Sequence, residues 1–156
     1  MTDLTRIAAA VAGLSLVPLA LAGCTVSTDD VKREVSIAVL AADANIVDTY
    51  ISVGQDLTGP GVRLRIYLTD TSDEAVVSSL EAALEAAYRG SPARLTGIFL
   101  DAAAAPAPSS PSWGGGSLRL RPLEDALDVP GSLSNDTIHA GRDALEEFYG
   151  PWGEDG

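Results

Sequence analysis

Between Ile46 and Leu68 apolar residues recur at every second position, in two runs separated by Asp56-Leu57-Thr58-Gly59-Pro60-Gly61. In the first run Val47, Thr49, Ile51 and Val53 share one side. In the second, Val62, Leu64, Ile66 and Leu68 point one way and Arg63, Arg65 and Tyr67 the other. Successive side chains of a strand point to opposite faces, so this period of two buries one face only if the backbone is extended. The Gly-Pro-Gly segment supplies the reversal, and the two runs read as an antiparallel hairpin. A lone hairpin is marginal in water and needs a second layer to cover its apolar face. An all-helical fold is therefore excluded.

Helices flanking the hairpin supply that layer. Thr71-Ser72-Asp73-Glu74 has capping-box spacing, with Thr71 at the cap and Glu74 three residues on. Val76, Val77, Leu80, Ala83, Leu84, Ala87 and Tyr88 then make one helical face. Arg89, Gly90 and Pro92 end it with a basic last turn, a left-handed cap and a residue that cannot continue the helix. Upstream, Val31, Val35, Ala38, Val39 and Ala42 also follow helical spacing, behind Ser27 or Thr28 as cap and Asp29 and Asp30 at the positive end of the dipole. Ile37 and Leu40 fall off that face, and a strand on Val35, Ile37 and Val39 is the competing reading. Arg94 to Leu100 reads as a third strand. The expectation is an α+β two-layer sandwich: a small antiparallel sheet with helices packed on one face, and residues 31–101 as its core.

Residues 102–117 combine an Ala run, prolines, serines and Gly114-Gly115-Gly116, a composition expected of a flexible loop. Trp113 stands out there, since a large ring gains by burial. Leu118-Arg119-Leu120-Arg121 alternates as a short strand, and Leu123 to Leu127 fits a helical turn. Asn135 or Asp136 is placed to cap a last helix carrying Ile138, Leu145, Phe148 and Trp152 and ending near Gly150-Pro151. Residues 118–150 thus complete the domain, and 151–156 form a tail. The order helix, strand, strand, helix, strand over residues 29–101, with Asp30-Val31 opening the first helix and Gly61-Val62 the second strand, resembles the BON domains of bacterial envelope proteins. The likeness covers about half the chain, and Ser91-Pro92-Ala93 departs from the valine-rich strand start that BON domains place after their second helix. It implies a module that binds lipids or assists envelope assembly.

The N-terminus carries a second signal. After Met1 to Arg6 the chain is apolar from Ile7 to Leu21 and ends in Leu21-Ala22-Gly23-Cys24. The apolar run is shorter than the ~20 residues of a membrane span, Pro18 interrupts it, and small residues precede the Cys, as in an export signal. Leu-Ala-Gly-Cys resembles the lipobox of bacterial lipoproteins. That resemblance implies cleavage between Gly23 and Cys24, removal of residues 1–23, and a lipid chain on Cys24, with 24–30 as the lipidated tether. The expected location is the extracytoplasmic face of the cell membrane, held by lipid. Removing 1–23 takes away only Asp3 and Arg6 among charged residues, so the net charge of −12 is unchanged.

That charge, from 10 basic and 22 acidic residues, opposes binding to nucleic acid, which needs clustered Lys and Arg. A single Cys excludes an internal disulfide and a Cys-built zinc site. No nucleophile-elbow or phosphate-loop motif occurs, and Gly114-Gly115-Gly116 lacks the Lys and hydroxyl residue that a phosphate loop requires. His139, the only histidine, has Asp136 and Asp143 at helical spacing, the nucleus of a metal or acid–base site and of an alternative reading as an envelope hydrolase; a solvated helix face explains it as well. Asp70, Asp73 and Glu74 suit helix capping and lack the spacing of a calcium loop. The sharpest candidate is an anion patch of Arg63, Arg65, Arg119 and Arg121, paired by two along strands whose leucines and isoleucine face the other way. Its competitor is pairing of these arginines with neighbouring carboxylates. With no catalytic set, metal site or cofactor legible, the expected function is a non-catalytic binding or assembly module, with cell-wall polymer or another envelope protein as partner.

Overall fold

A computed structural model describes residues 26–113 and 115–153. The expected signal segment, the cleavage site at Gly23 and Cys24, and residues 154–156 of the tail lie outside them. Three helices, α1 (Thr28–Ala42), α2 (Asp73–Arg89) and α3 (Arg142–Tyr149), accompany five strands: β1 (Ile46–Asp56), β2 (Gly59–Leu68), β3 (Gly97–Ala104), β4 (Ser132–Ser134) and β5 (Thr137–Gly141). A 3-10 helix, Arg121–Ala126, falls between β3 and β4. The fold is α+β, as the alternation of periods requires, and residues 28–104 follow the expected helix, strand, strand, helix, strand order.

The sheet runs β1-β2-β3-β5-β4 and is mixed, not wholly antiparallel, because β2 and β3 are parallel. The cause is α2: a strand that leaves the sheet, crosses it as a helix and returns beside its predecessor must run in the same direction. Val62, Leu64, Ile66 and Leu68 of β2 meet Val31, Val35 and Val39 of α1 and Val76, Leu80, Ala83, Leu84 and Ala87 of α2 in one buried cluster. Helix α1 resolves the competing reading of its segment. Ser27 accepts the Asp30 N–H at 3.1 Å while the Asp30 carboxylate reaches back to the Ser27 N–H at 3.3 Å, a complete capping box. Ile37 and Leu40, off the apolar face, are 58% and 39% exposed. Helical backbone from Thr28 also shortens the expected 24–30 tether by three residues.

Several local expectations are corrected. Ile46, not Val47, takes the inward seat in β1, because the register shifts between Ile46 and Asp48. Helix α2 begins one residue late, behind Ser72, with no side-chain cap bond; the Asp70 carboxylate takes the Ser72 N–H at 2.9 Å, and the Thr71–Glu74 box does not form. Gly90 ends α2 in right-handed conformation (φ −79°), not in a left-handed cap. Its glycine serves packing instead: a Cβ there would collide with the Ala38 Cβ of α1 and lie 2.8 Å from the Ala86 carbonyl. Strand β3 spans Gly97–Ala104 instead of Arg94 to Leu100. Residues 118–121 form no strand. Asn135 and Asp136 do not cap a helix; both have positive φ (51° and 57°) and make the two-residue turn of a β4–β5 hairpin. Ile138 therefore belongs to β5, and the last helix starts at Arg142. Trp152, beyond α3, packs against the core and donates its indole N–H to the Ser91 carbonyl at 3.2 Å.

Candidate functional site

The four arginines separate. Arg63 and Arg65 do lie on the face of β2 opposite the helices, as alternation demands. Arg63 stays exposed, its guanidinium 5.7 Å from the centre of the Phe99 ring. Arg65 is 2% exposed, because the segment between β3 and the 3-10 helix folds across this face. Its Nε and Nη2 grip the Asp101 carboxylate at 2.8 and 2.5 Å, Nη1 donates to the carbonyls of Ser112 and Gly115, and Nη2 also donates to Ser117 Oγ. Five bonds match the five N–H groups of a guanidinium, so none is left for a ligand. The Asp101 bond holds the guanidinium above its ordinary value despite the opposing effect of burial. Trp113 stacks on the same group, 5.6 Å from it, which answers why a large ring stands in so polar a segment. The expectation of a flexible 102–117 loop is thus corrected: residues 102–104 belong to β3, Ser117 bridges to Ala103, and the remainder is a strap closed on Arg65. Tyr67, two residues on, is also covered, and its hydroxyl has no hydrogen-bond partner among the described residues.

Arg119 and Arg121 remain free of ion pairs among the described residues and are exposed. Backbone geometry places them. Leu118 donates its N–H to the Ala102 carbonyl at 2.7 Å, Leu120 and Leu123 turn into the core, and Pro122 sits in the first turn of the 3-10 helix. The alternation of Leu118 to Arg121 is kept without a strand, so both guanidinium groups face outward. The turn of the β4–β5 hairpin locks the segment: Asp136 accepts the N–H groups of Leu120 and Arg121 on one oxygen, at 2.8 and 3.1 Å. Together with Pro122, Glu124, Leu133, Ser134, Asn135 and Asp136, the two arginines line an open cleft of about 800 Å³. Of the expected patch, Arg119 and Arg121 line a cleft, Arg65 is structural, and Arg63 stays exposed beside Phe99.

The His139 trio is not brought together. His139 lies on β5, in edge contact with Phe99 at 4.8 Å between ring centres; Asp136 is committed to backbone amides; Asp143 opens α3. No group of three His, Cys, Asp or Glu side chains among the described residues is arranged to hold a metal ion. The hairpin that carries Asp136 is hard to see in the sequence because Asn-Asp in the left-handed region is a rarer turn signal than Asn-Gly.

No family model, no curated protein and no solved structure matches this chain. Its chemistry must be read from its own side chains. Among the described residues no helix is long and apolar enough to cross a membrane.

Proposed function

We propose that the chain is a lipid-anchored envelope protein that binds an anionic partner and does not convert it, with the Arg119–Arg121 cleft as the binding site. The observation that carries the reading is the pair of exposed guanidinium groups, free of carboxylate partners among the described residues, on a cleft that also offers Ser134 and Asn135 as hydrogen-bonding groups. A guanidinium presents a planar fork to carboxylate or phosphate. Hydroxyl and amide groups beside it suit a sugar-rich polymer, so an anionic cell-wall polymer is the favoured partner. Anchoring rests on Leu21-Ala22-Gly23-Cys24.

One preparation tests both halves. The chain is purified from bacterial membranes in detergent, its mass is measured, and binding of acidic wall polymer is compared with that of Arg119→Gln/Arg121→Gln. A diacylglyceryl adduct on Cys24 and a loss of at least tenfold in affinity are expected; each buried or well-placed charged contact is worth about 1.5–3 kcal/mol. An unmodified Cys24 overturns the anchor, and equal binding by the variant overturns the cleft.

A further inference from the structure

On the other side of the 3-10 helix lies a groove of opposite character. It runs along α2 from Asp73 to Glu81, has a volume of about 550 Å³, and takes its apolar lining from half-buried Val77, the edge of Leu123 and the exposed Pro122 and Ala126. Asp73, Glu74 and Glu81 rim it, and no Lys or Arg lines it. Positions 73, 74, 77, 78 and 81 fall on one face of α2, as neighbours three and four apart must. Glu81 is fixed, since its carboxylate accepts the Asp128 N–H at 2.8 Å; Asp73 and Glu74 enter no ion pair among the described residues. Pro122 lines both this groove and the arginine cleft, so a groove without cations and a cleft with two meet across a single turn of backbone.

From the charge on that rim we infer that the groove is a docking site for a basic amphipathic helix of a partner protein. Two turns of α2 make a linear trough about 12 Å long, at 1.5 Å per residue, which is the shape a short helix fills. Apolar side chains of the partner take the Val77–Leu123 floor, and its Lys or Arg residues meet Asp73, Glu74 and Glu81. Neither half suffices alone: carboxylates without the floor attract any cation, and the floor without carboxylates selects no charge.

The test uses the full-length protein in detergent and a fluorescein-labelled peptide of leucine and lysine, patterned so that the leucines share one helical face. Saturable one-to-one binding is expected, weakening as salt rises. Asp73→Asn/Glu74→Gln should weaken it roughly three- to tenfold. Ser78→Trp, which fills the trough from its exposed rim without touching the core, should abolish it. Arg119→Gln/Arg121→Gln should not weaken it, which separates this site from the anion cleft. Three results overturn the inference. One is equal binding by a scrambled peptide of the same composition; another is equal weakening by the distant pair Asp48→Asn/Asp143→Asn. The third is self-association through the groove, seen by light scattering and lost in Arg119→Gln/Arg121→Gln.

Discussion

Arg65 and Asp101 are each 2% exposed and neutralise one another, so removing either charge strands its partner away from water. Asp101→Asn should cost about 3–5 kcal/mol in urea unfolding, the range for breaking a buried pair from one side. Arg65→Met/Asp101→Leu should recover part of that loss, because no uncompensated charge remains. At Gly90 the constraint is volume. Gly90→Ala should destabilise by about 1–3 kcal/mol through overpacking against Ala38, and Ala38→Gly should relieve part of it, giving a non-zero coupling in a double-mutant cycle. The alternation of β2 already showed Arg65 facing away from the helices. What covers it was not legible, since Asp101 lies 36 positions along the chain and the strap carbonyls 47 and 50. Gly90 was legible as a helix stop but not as a contact point, because only the α1–α2 crossing makes its missing Cβ necessary.

At the scale of elements, α1, α2 and the β1–β2 hairpin were readable because each has one dominant period and clear terminators. The β4–β5 hairpin was not: its strands span only three and five residues, too short for a period to stand out. Its turn carries two demands, positive φ and acceptance of two amides. Asp136→Ala meets neither and should cost about 1–3 kcal/mol. Asp136→Gly restores only the backbone, and Asp136→Asn, which keeps an oxygen and tolerates the conformation, should be the mildest; thermal melts of the three give the order. Helix α3 adds a pH dependence. Burial, reinforced by Glu85, Glu81 and Asp128, pushes the Tyr149 phenol above its ordinary value of 10.0, with Tyr88 stacked 5.7 Å away. The folded chain thus keeps a proton that the unfolded chain releases. Stability from this group is intact below pH 10 and falls as pH rises beyond it, so urea midpoints should hold up to about pH 10, drop progressively above it, and drop less in Tyr149→Phe.

Considered whole, the molecule covers the helix side of its sheet with two helices and part of the other side with a strap that has no regular structure. The composition of residues 105–117 predicts disorder only if order must come from apolar packing. Here much of it comes from one guanidinium, with backbone bonds from Ala105 to Leu68 and Leu118 to Ala102 tying the two ends. Limited proteolysis should therefore leave 105–113 intact in the native protein, and cut there in Asp101→Asn at temperatures where that variant still shows native helical circular dichroism. The candidate site divides along the same line. Arg119 and Arg121 were legible as outward cations, but their cleft depends on a hairpin turn that the sequence disguised as a helix cap.

The latch on Arg65 has a consequence for how this chain can vary. Of its three hydrogen bonds to the strap, two go to the main-chain oxygens of Ser112 and Gly115 and one to the side chain of Ser117. A clasp that reads carbonyls is indifferent to spelling but not to distance. The side chains at positions 112 and 115 take no part in those two bonds, whereas inserting or deleting a single residue between Ser112 and Ser117 moves an oxygen out of the guanidinium's reach.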